Sequence, residues 1–263
     1  MFPFIVIFGK KISTYMIMTI IGVLVSGFVA CKTTKKRGYD ENDMIVLLLV
    51  SAIGVFLGGH ILFGITNINK LYLFIIHIGN TDSIKTFFMA ISDIFGGSVF
   101  YGGLIGGMIA GYIYIKKKKL PFNVFSDIAS TIIPLFHFFG RIGCFLVGCC
   151  YGVESHIGFT YNHSIVTQAN HINRFPIQLV EATYNLALFS LLFYLLKKNK
   201  MQGKILGLYL LLYPTGRFIF EFFRGDEYRG FIFGISTSQF ISILLIIVSI
   251  IILSKKEKKL SSR

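Results

Sequence analysis

Apolar stretches long enough to cross a membrane recur along this chain and leave little room for any other kind of fold. A helix that spans a bilayer core needs about 20 mainly apolar residues. Seven such stretches stand in the sequence, at residues 14–31, 43–65, 93–115, 123–139, 176–196, 205–223 and 231–253. The sequence therefore predicts an all-α polytopic membrane protein with about seven transmembrane helices.

The composition supports this class of protein. Only 14% of the 263 residues are charged and 54% are hydrophobic, whereas a soluble domain carries about 25% charged residues. The net charge of +14 is spread over short basic blocks between apolar stretches, which favours a lipid bilayer over nucleic acid as the partner. No nucleic-acid function is expected.

The basic blocks predict how the chain is oriented. Four blocks hold 17 of the 26 Lys and Arg residues, and they follow the first, third, fifth and seventh predicted spans. Cytoplasmic loops of membrane proteins are enriched in Lys and Arg. The N-terminus is therefore predicted to be external and the C-terminus cytoplasmic.

Two segments interrupt the pattern of spans. Residues 71–91 are apolar in patches but contain Asp82 and Lys85, which predicts a re-entrant or interfacial arm. Residues 153–175 are polar and are expected to form an external loop. With these short external arms, residues 1–263 are expected to form a single integral membrane domain.

Ionisable residues inside apolar spans mark a candidate site. Arg141 ends the fourth span, while Arg217, Glu221 and Arg224 are spaced i, i+4 and i+7 at the end of the sixth, which places them on one face of a helix. A charge at membrane depth costs at least about 2.5–3.5 kcal/mol, and guanidinium groups bind phosphate bidentately. The pattern predicts an anion site near the external face. The simpler alternatives are a snorkelling Arg141 and a salt-bridged interfacial triplet.

Two further carboxylates stand inside apolar spans. Asp127 lies in the fourth span and Glu181 in the fifth. Each is costly unless it is paired, so each is expected to have a structural or functional partner.

A glycine-rich run lies in the third span. Gly102 and Gly103 precede Gly106 and Gly107 by four residues, a spacing that lets two membrane helices approach closely, so helix packing is one explanation. The other is that the run leaves room for a lipid glycerol beside Tyr101. The Tyr101 hydroxyl would then donate a hydrogen bond to a phosphate oxygen or accept a proton.

Three cysteines follow Arg141 in the sequence. Cys144, Cys149 and Cys150 lack the Cys-x2-Cys spacing that is typical of structural zinc sites. Packing residues, a disulfide and a metal site stay open as explanations, the metal site being the least favoured. The thiols also raise an alternative function, a membrane thiol-redox enzyme.

Four separated motifs resemble the prolipoprotein diacylglyceryl transferase family, in family order and over most of the chain. They are Tyr101-Gly-Gly-Leu-Ile-Gly; Gly140-Arg-Ile-Gly-x-Phe with Tyr151-Gly152; Pro176-x-Gln-Leu-x-Glu181; and Gly216-Arg-Phe-x-x-Glu-Phe-Phe-Arg224. The Gly-Arg-Ile-Gly run is the most specific of the four.

The resemblance implies an enzyme that transfers the diacylglyceryl group of phosphatidylglycerol to the lipobox cysteine of prolipoprotein signal peptides and forms a thioether. Arg141 would bind the headgroup, Arg217 the phosphate near the reacting centre, and Glu221 would orient Arg217. The implied catalytic residues are Tyr101, Arg141, Arg217 and Glu221. The implied substrate-binding residues are Arg141, Tyr15, Gly102, Gly103, Cys144, Gly152, Tyr213, Arg224, Gln178 and Glu181.

The resemblance implies no metal and no cofactor. It places the protein in the bacterial cytoplasmic (inner) membrane, with the active site toward the external leaflet.

The family commonly has His, Asn and Glu at the positions of Tyr101, Cys144 and Cys149. Either Tyr101 and the thiols substitute for these groups, or the chain is a divergent relative with another acceptor. A lipid or anion transporter is a further alternative, but charges near one face favour an interfacial enzyme.

Overall fold

Helices dominate the described part of the chain. The computed structural model describes residues 1–77, 83–226, 231–232 and 234–254. Its helices are α1 (Thr14–Lys36), α2 (Glu41–Thr66), α3 (Ile68–His77), α4 (Ile84–Phe95), α5 (Phe100–Lys117), α6 (Phe122–Val147), α7 (Ile177–Lys197), α8 (Ile205–Phe220) and α9 (Thr237–Ser254).

Three two-stranded antiparallel sheets join the helices in the described part. They pair β1 (Phe4–Ile7) with β2 (Lys10–Ser13), β3 (Glu154–Thr160) with β4 (Asn173–Arg174), and β5 (Phe231–Ile232) with β6 (Ile235–Ser236). None of them closes into a larger sheet.

Six of the described helices are long and apolar enough to cross a membrane: α1, α2, α6, α7, α8 and α9. Their surfaces suit lipid, since large apolar side chains such as Leu24 and Phe28 are each 66% exposed. In a bilayer such side chains meet acyl chains that are as apolar as leucine. The predicted class, an all-α polytopic membrane protein, is confirmed. The seventh span and the orientation stay predictions.

The predicted third span begins in the wrong place. Asp93 lies in α4, and α5 starts only at Phe100. Gly96 and Gly97 lie between the two helices, and glycine is among the least favourable residues in a helix interior. The N–H of Gly96 caps α4 by donating to the carbonyl oxygen of Ser92 at 2.7 Å.

Two other predicted bounds are also wrong. The predicted seventh span starts at residue 231, but a short β5–β6 hairpin precedes α9, which begins at Thr237. The fourth span does not end at Arg141, because α6 continues to Val147. Arg141 therefore lies inside a helix, about one and a half turns before its end.

The chain divides into two compact units, residues 34–125 and residues 1–33 with 126–263. In the unit formed by residues 34–125, α2 and α5 cross at glycines. A Cβ atom on Gly102 would overlap the carbonyl oxygen of Gly58, and one on Gly106 would overlap that of Gly54. Helix packing, one of the two explanations for the glycine run, therefore accounts for Gly102 and Gly106.

The same unit contains the segment predicted to be an arm. It holds α3 and α4, which are linked by an ion pair between Lys70 Nζ and Asp93 Oδ2 at 2.9 Å. Residues 78–82, which include Asp82, lie outside the described residues.

In the other unit, Asp127 fixes the start of α8. Its carboxylate is 1% exposed and accepts hydrogen bonds from the N–H groups of Gly203 at 2.5 Å and Ile205 at 3.1 Å. The first N–H groups of a helix have no partner within the helix, and an anion near them is stabilised by the helix dipole. The role of Asp127 is therefore structural.

Candidate active site

Four charged side chains from α6, α7, α8 and the 3₁₀ turn after α8 meet in the unit formed by residues 1–33 and 126–263. Glu181 of α7 places Oε2 at 2.5 Å from Nε of Arg141 on α6 and Oε1 at 3.0 Å from Nη1 of Arg217 on α8. Arg217 Nη2 also lies 2.8 Å from Glu221 Oε2. One carboxylate therefore bridges two guanidinium groups, and a second carboxylate holds one of them.

Burial makes this arrangement costly to disturb. The side chains of Glu181 and Glu221 are 4% and 3% exposed, while those of Arg141 and Arg217 are 19% and 16% exposed. Two positive and two negative charges balance inside the cluster. Removing one partner of a buried ion pair costs about 3–5 kcal/mol, because the remaining charge loses its compensation.

A fourth helix adds a neutral contact. Nη2 of Arg217 donates to Oγ of Ser238 on α9 at 3.2 Å. Sequence reasoning missed Ser238, because a serine at a helix start carries no signal that distinguishes it from an ordinary polar residue. Helices α6, α7, α8 and α9 together fix the arginine pair.

Aromatic rings pack against one another near Arg141. His137, one turn earlier on α6, has its ring centroid 5.0 Å from that of Tyr213, and Tyr213 stacks on Tyr209 at 5.4 Å. Tyr213 also interacts electrostatically with Arg141. A hydroxyl-bearing aromatic side chain therefore lies near the guanidinium group.

Tyr15 approaches from α1. A Cβ atom on Gly143 would lie 3.1 Å from Cδ2 and 3.2 Å from Cα of Tyr15. Gly143 thus lets the first turn of α1 contact α6 directly, two residues after Arg141 in the sequence.

The chain after α6 folds back on the end of that helix. The N–H groups of Gly148 and Cys149 both donate to the carbonyl oxygen of Cys144, at 2.9 and 3.1 Å. Gly148 and Cys150 have φ values of +82° and +52°, in the left-handed region that commonly ends a helix. Cys149 and Cys150 thereby return to Cys144, and the three Sγ atoms lie within 4.8 Å of one another.

All four cysteines are free thiols. The pKa of the Cys150 thiol is lowered by hydrogen bonds from the Cys144 and Cys149 thiols, and also by the positive charges of Arg224 and Arg141. The same hydrogen-bonded group raises the pKa of the Cys149 thiol.

Gly152 joins three backbone segments. It pairs with Arg224 in an antiparallel bridge, and a Cβ atom at this position would overlap the carbonyl oxygen of Phe175. On either side, Val153 N–H donates to Phe223 O at 3.0 Å and Gly225 N–H donates to Tyr151 O at 2.9 Å. Only glycine fits at this crossing.

The same bridge displaces Arg224 from the predicted helix face. Helix α8 ends at Phe220, residues Glu221–Phe223 form a 3₁₀ turn, and Arg224 is extended. Arg217, Glu221 and Arg224 therefore do not share one continuous helix face, because the backbone leaves the helix to pair with Gly152. Arg224 instead forms an ion pair with Asp226, with Nε 2.9 Å from Oδ1. Asp226 was not predicted as a site residue, and its only signal in the sequence is that it lies two residues after Arg224.

Gln178 supports the cysteine segment. It is 0% exposed; its Nε2 donates to the carbonyl oxygen of Cys149 at 2.8 Å, and its Oε1 accepts from the Tyr161 hydroxyl at 3.1 Å. Arg174, which sequence reasoning did not single out, is also buried and donates to the carbonyl oxygens of Gly152 and Gln168. These residues hold the loop after α6 against the start of α7.

The predicted site residues thus fall into two groups. One unit contains Tyr15, Arg141, Cys144, Gly152, Gln178, Glu181, Tyr213, Arg217, Glu221 and Arg224. The other contains Tyr101, Gly102 and Gly103 at the start of α5, and the side chain of Tyr101 lies outside what the structure describes.

Six apolar helices and a buried cluster of guanidinium and carboxylate groups define a polytopic membrane protein with a charged site among its helices. The chain belongs to the prolipoprotein diacylglyceryl transferase family, whose model matches residues 3–255.

Relatives agree with this assignment. The chain is similar to the phosphatidylglycerol–prolipoprotein diacylglyceryl transferase of Clostridium tetani, with 36% identity over 94% of both chains. It is 33% identical to the enzyme numbered 2 of Clostridium perfringens, over 94% of this chain and 91% of the relative. The Idiomarina loihiensis enzyme is 32% identical, over 87% of this chain and 82% of the relative.

Proposed function

We propose that this protein transfers the diacylglyceryl group of phosphatidylglycerol to the thiol of a lipobox cysteine in a prolipoprotein signal peptide. The bond between the glycerol carbon and the phosphate oxygen breaks, and a carbon–sulfur bond forms. Glycerol phosphate leaves with the electron pair, and the thiol proton is released. Family membership supports this reaction, and the observation that carries it is the single carboxylate of Glu181 that holds Arg141 and Arg217.

The arginine pair suits a phosphate leaving group. Two guanidinium groups held by one buried carboxylate are preorganised, so little reorganisation is needed as negative charge develops on the leaving oxygen. Arg141 binds the phosphatidylglycerol headgroup, and Arg217 stabilises the phosphate near the reacting carbon. Glu221, at 2.8 Å from Arg217, orients that guanidinium group.

The other site residues shape the substrate site. Tyr15 and Tyr213 line it, while Cys144 and Arg224 border it where the chain leaves α6. Gly152 and Gln178 act through the backbone that they hold.

Tyr101, Gly102 and Gly103 are proposed to contact the lipid on the strength of the family resemblance, Gly102 through its backbone, since the place of its side chain is taken by the carbonyl oxygen of Gly58. The hydroxyl of Tyr101 donates to a phosphate oxygen or accepts a proton in this scheme.

The same proposal includes a membrane topology. The chain is a single integral membrane domain of the bacterial cytoplasmic membrane, with an interfacial arm at about 71–91 and an external loop at about 153–175. The basic blocks favour a cytoplasmic C-terminus and an arginine cluster toward the external leaflet. In intact cells, a membrane-impermeant thiol reagent is expected to add label to Ser155→Cys and not to Lys118→Cys, each compared with the unsubstituted protein, whose four free cysteines set the background. The reverse pattern would contradict this topology.

Lipid transfer by the purified full-length protein tests the function directly. Phosphatidylglycerol and a lipobox peptide are supplied in proteoliposomes, and peptide mass and released glycerol phosphate are measured. We expect a diacylglyceryl-modified peptide that disappears with Arg141→Ala and persists with Arg37→Ala, a control outside the cluster. Absence of product from folded protein, beside an active family enzyme, would overturn the proposal and point to another acceptor.

A further inference from the structure

The three cysteines after Arg141 form a compact sulfur cluster that the arginine site does not explain. Cys144 comes from the last turn of α6, and the left-handed residues Gly148 and Cys150 turn the chain so that Cys149 and Cys150 return to it. All three Sγ atoms lie within 4.8 Å of one another. Gln178 fixes the backbone between them through its bond to the Cys149 carbonyl oxygen.

This spacing suits a thiophilic divalent ion. Zinc–sulfur bonds are about 2.3 Å long and tetrahedral, so bound sulfur atoms lie about 3.8 Å apart. The three Sγ atoms already lie within 4.8 Å of one another, so each separation has to shorten by about 1 Å at most. Catalytic zinc sites typically take three protein ligands and leave a fourth position for water or substrate.

The surrounding charges favour the metal-bound form. Three thiolates and one Zn²⁺ carry a net charge of −1. Arg141 and Arg224 both interact electrostatically with Cys150, so positive charge stands beside the excess negative charge. Placing a small anionic complex next to guanidinium groups offsets part of its desolvation cost.

We propose that Cys144, Cys149 and Cys150 bind Zn²⁺ through three thiolates and that its fourth position binds the acceptor thiol. The catalytic half of this inference rests on the function proposed above. A thiol bound to zinc is deprotonated, and metal coordination is one way to activate a nucleophile.

The acceptor cysteine loses its proton to solvent, its sulfur attacks the glycerol carbon, and the carbon–oxygen bond breaks with its electron pair on the departing glycerol phosphate. Zinc keeps its charge throughout, and the thioether product, a weaker ligand than thiolate, leaves the metal.

A metal site is the least favoured of the three explanations that the sequence leaves open for these cysteines, and the family resemblance implies none. The sequence lacks a Cys-x2-Cys pair, and only the reversal of the chain at residues 148–150 brings the sulfur atoms together. A zinc ion bound to these cysteines would activate the acceptor thiol within the same unit as the arginine pair.

Cobalt substitution tests the metal site without reference to activity. Full-length protein, reduced and stripped with a chelator, is titrated with Co²⁺, and the thiolate-to-cobalt charge-transfer absorption and bound-metal stoichiometry are recorded. We expect one ion per chain and an intensity typical of three thiolates. Cys144→Ser, Cys149→Ser and Cys150→Ser should each weaken or abolish the band, whereas Cys31→Ser, which alters the remaining cysteine, should retain it. Size-exclusion profiles and helical circular dichroism establish that each variant is folded.

Two results would overturn the site. One is reduced wild-type protein that binds neither Co²⁺ nor Zn²⁺ above background. The other is a disulfide among the three cysteines in protein taken directly from membranes, detected by mass under non-reducing conditions.

Transfer assays on the same samples separate the metal role from the proposed function. We expect stripped protein to lose roughly 100-fold in rate, the scale of losing base catalysis, and added Zn²⁺ to restore it in wild type and Cys31→Ser but not in the cluster variants. Full activity in metal-free protein would overturn the zinc role and leave the transferase function intact. A zinc-loaded protein with the cobalt signature but no transfer to any lipobox peptide would overturn the function and the role of the acceptor thiol, while the metal site would stand.

Discussion

Glu181 lies 2.5 Å from Arg141 through Oε2 and contacts Arg217 through its other oxygen, at 3.0 Å. The carboxylate is thus the shared counterion of two guanidinium groups on different helices. The negative charge of Glu181 allows the two guanidinium groups to lie close together. Without it, the two positive charges would repel each other in a poorly solvated site. The geometry of both arginines depends on this one side chain.

Replacing Glu181 by Gln is therefore expected to destabilise the protein as well as inactivate it. The substitution keeps the shape but leaves two buried cations with one carboxylate, a loss of about 3–5 kcal/mol for a broken buried ion pair. The melting temperature in detergent, followed by circular dichroism, measures this loss. Glu154→Gln, at an exposed position of β3, is the matched control and should change the melting temperature little. Equal melting temperatures for the two variants would show that the negative charge of Glu181 does not stabilise the folded protein.

Arg141→Lys should lose activity although it keeps the positive charge. A lysine ammonium lacks the planar donor pair of guanidinium, so it cannot bind Glu181 and a phosphate in fixed directions. We expect transfer to fall by about 100-fold, the effect of removing one preorganised donor at a developing negative charge. The initial rate of glycerol phosphate release gives the comparison, with Arg37→Lys as the control. A fully active lysine variant would contradict the headgroup role of Arg141.

The members of the charged cluster were recognisable in the sequence, but their pairing was not. Arg141, Glu181 and Arg217 stand out because ionisable residues are rare in apolar spans. Which of them meet depends on how α6, α7 and α8 pack, because Arg141 and Glu181 are 40 residues apart in the sequence and Glu181 and Arg217 are 36 apart. The prediction that Arg217, Glu221 and Arg224 share one helix face is wrong for the same reason. The spacing of these residues is compatible with a helix through Arg224, but the backbone pairing of Arg224 with Gly152 ends the helix earlier.

Asp127 illustrates the converse case. Its position inside an apolar span predicted a partner, and the partners are the backbone N–H groups of Gly203 and Ile205. The sequence does not show which backbone N–H groups a carboxylate binds. It therefore could not distinguish an aspartate that caps a helix from an aspartate with a catalytic role. The helix class itself was predictable because uninterrupted apolar length is a property of local sequence alone.

Loss of this cap should be measurable as stability. Asp127→Ala leaves the N–H groups of Ile205, which is buried, and Gly203, which is partly buried, without their acceptor, and a buried unsatisfied group costs about 1–3 kcal/mol. We expect a lower melting temperature and faster proteolysis near the start of α8, with transfer preserved in the fraction that stays folded. Asp93→Ala breaks the exposed pair with Lys70, worth at most about 1 kcal/mol, and serves as the control. A larger loss in the Asp93 variant would contradict the cap.

The crossing at Gly152 gives the most stringent steric test. A Cβ atom there would overlap the carbonyl oxygen of Phe175, so Gly152→Ala must push apart the segments that hold Arg224 and the start of α7. We expect loss of transfer together with lower stability, since overpacking typically costs about 1–3 kcal/mol. Gly27→Ala is the matched control, because a Cβ atom at that position of α1 meets no atom within 4 Å and alanine is the better helix former by about 1 kcal/mol. Comparing melting temperature and transfer rate for the two variants separates a general effect of adding a methyl group from the specific demand at the crossing. If Gly152→Ala matched Gly27→Ala in both measurements, the close approach of residues 152 and 175 would be ruled out as a determinant of the site.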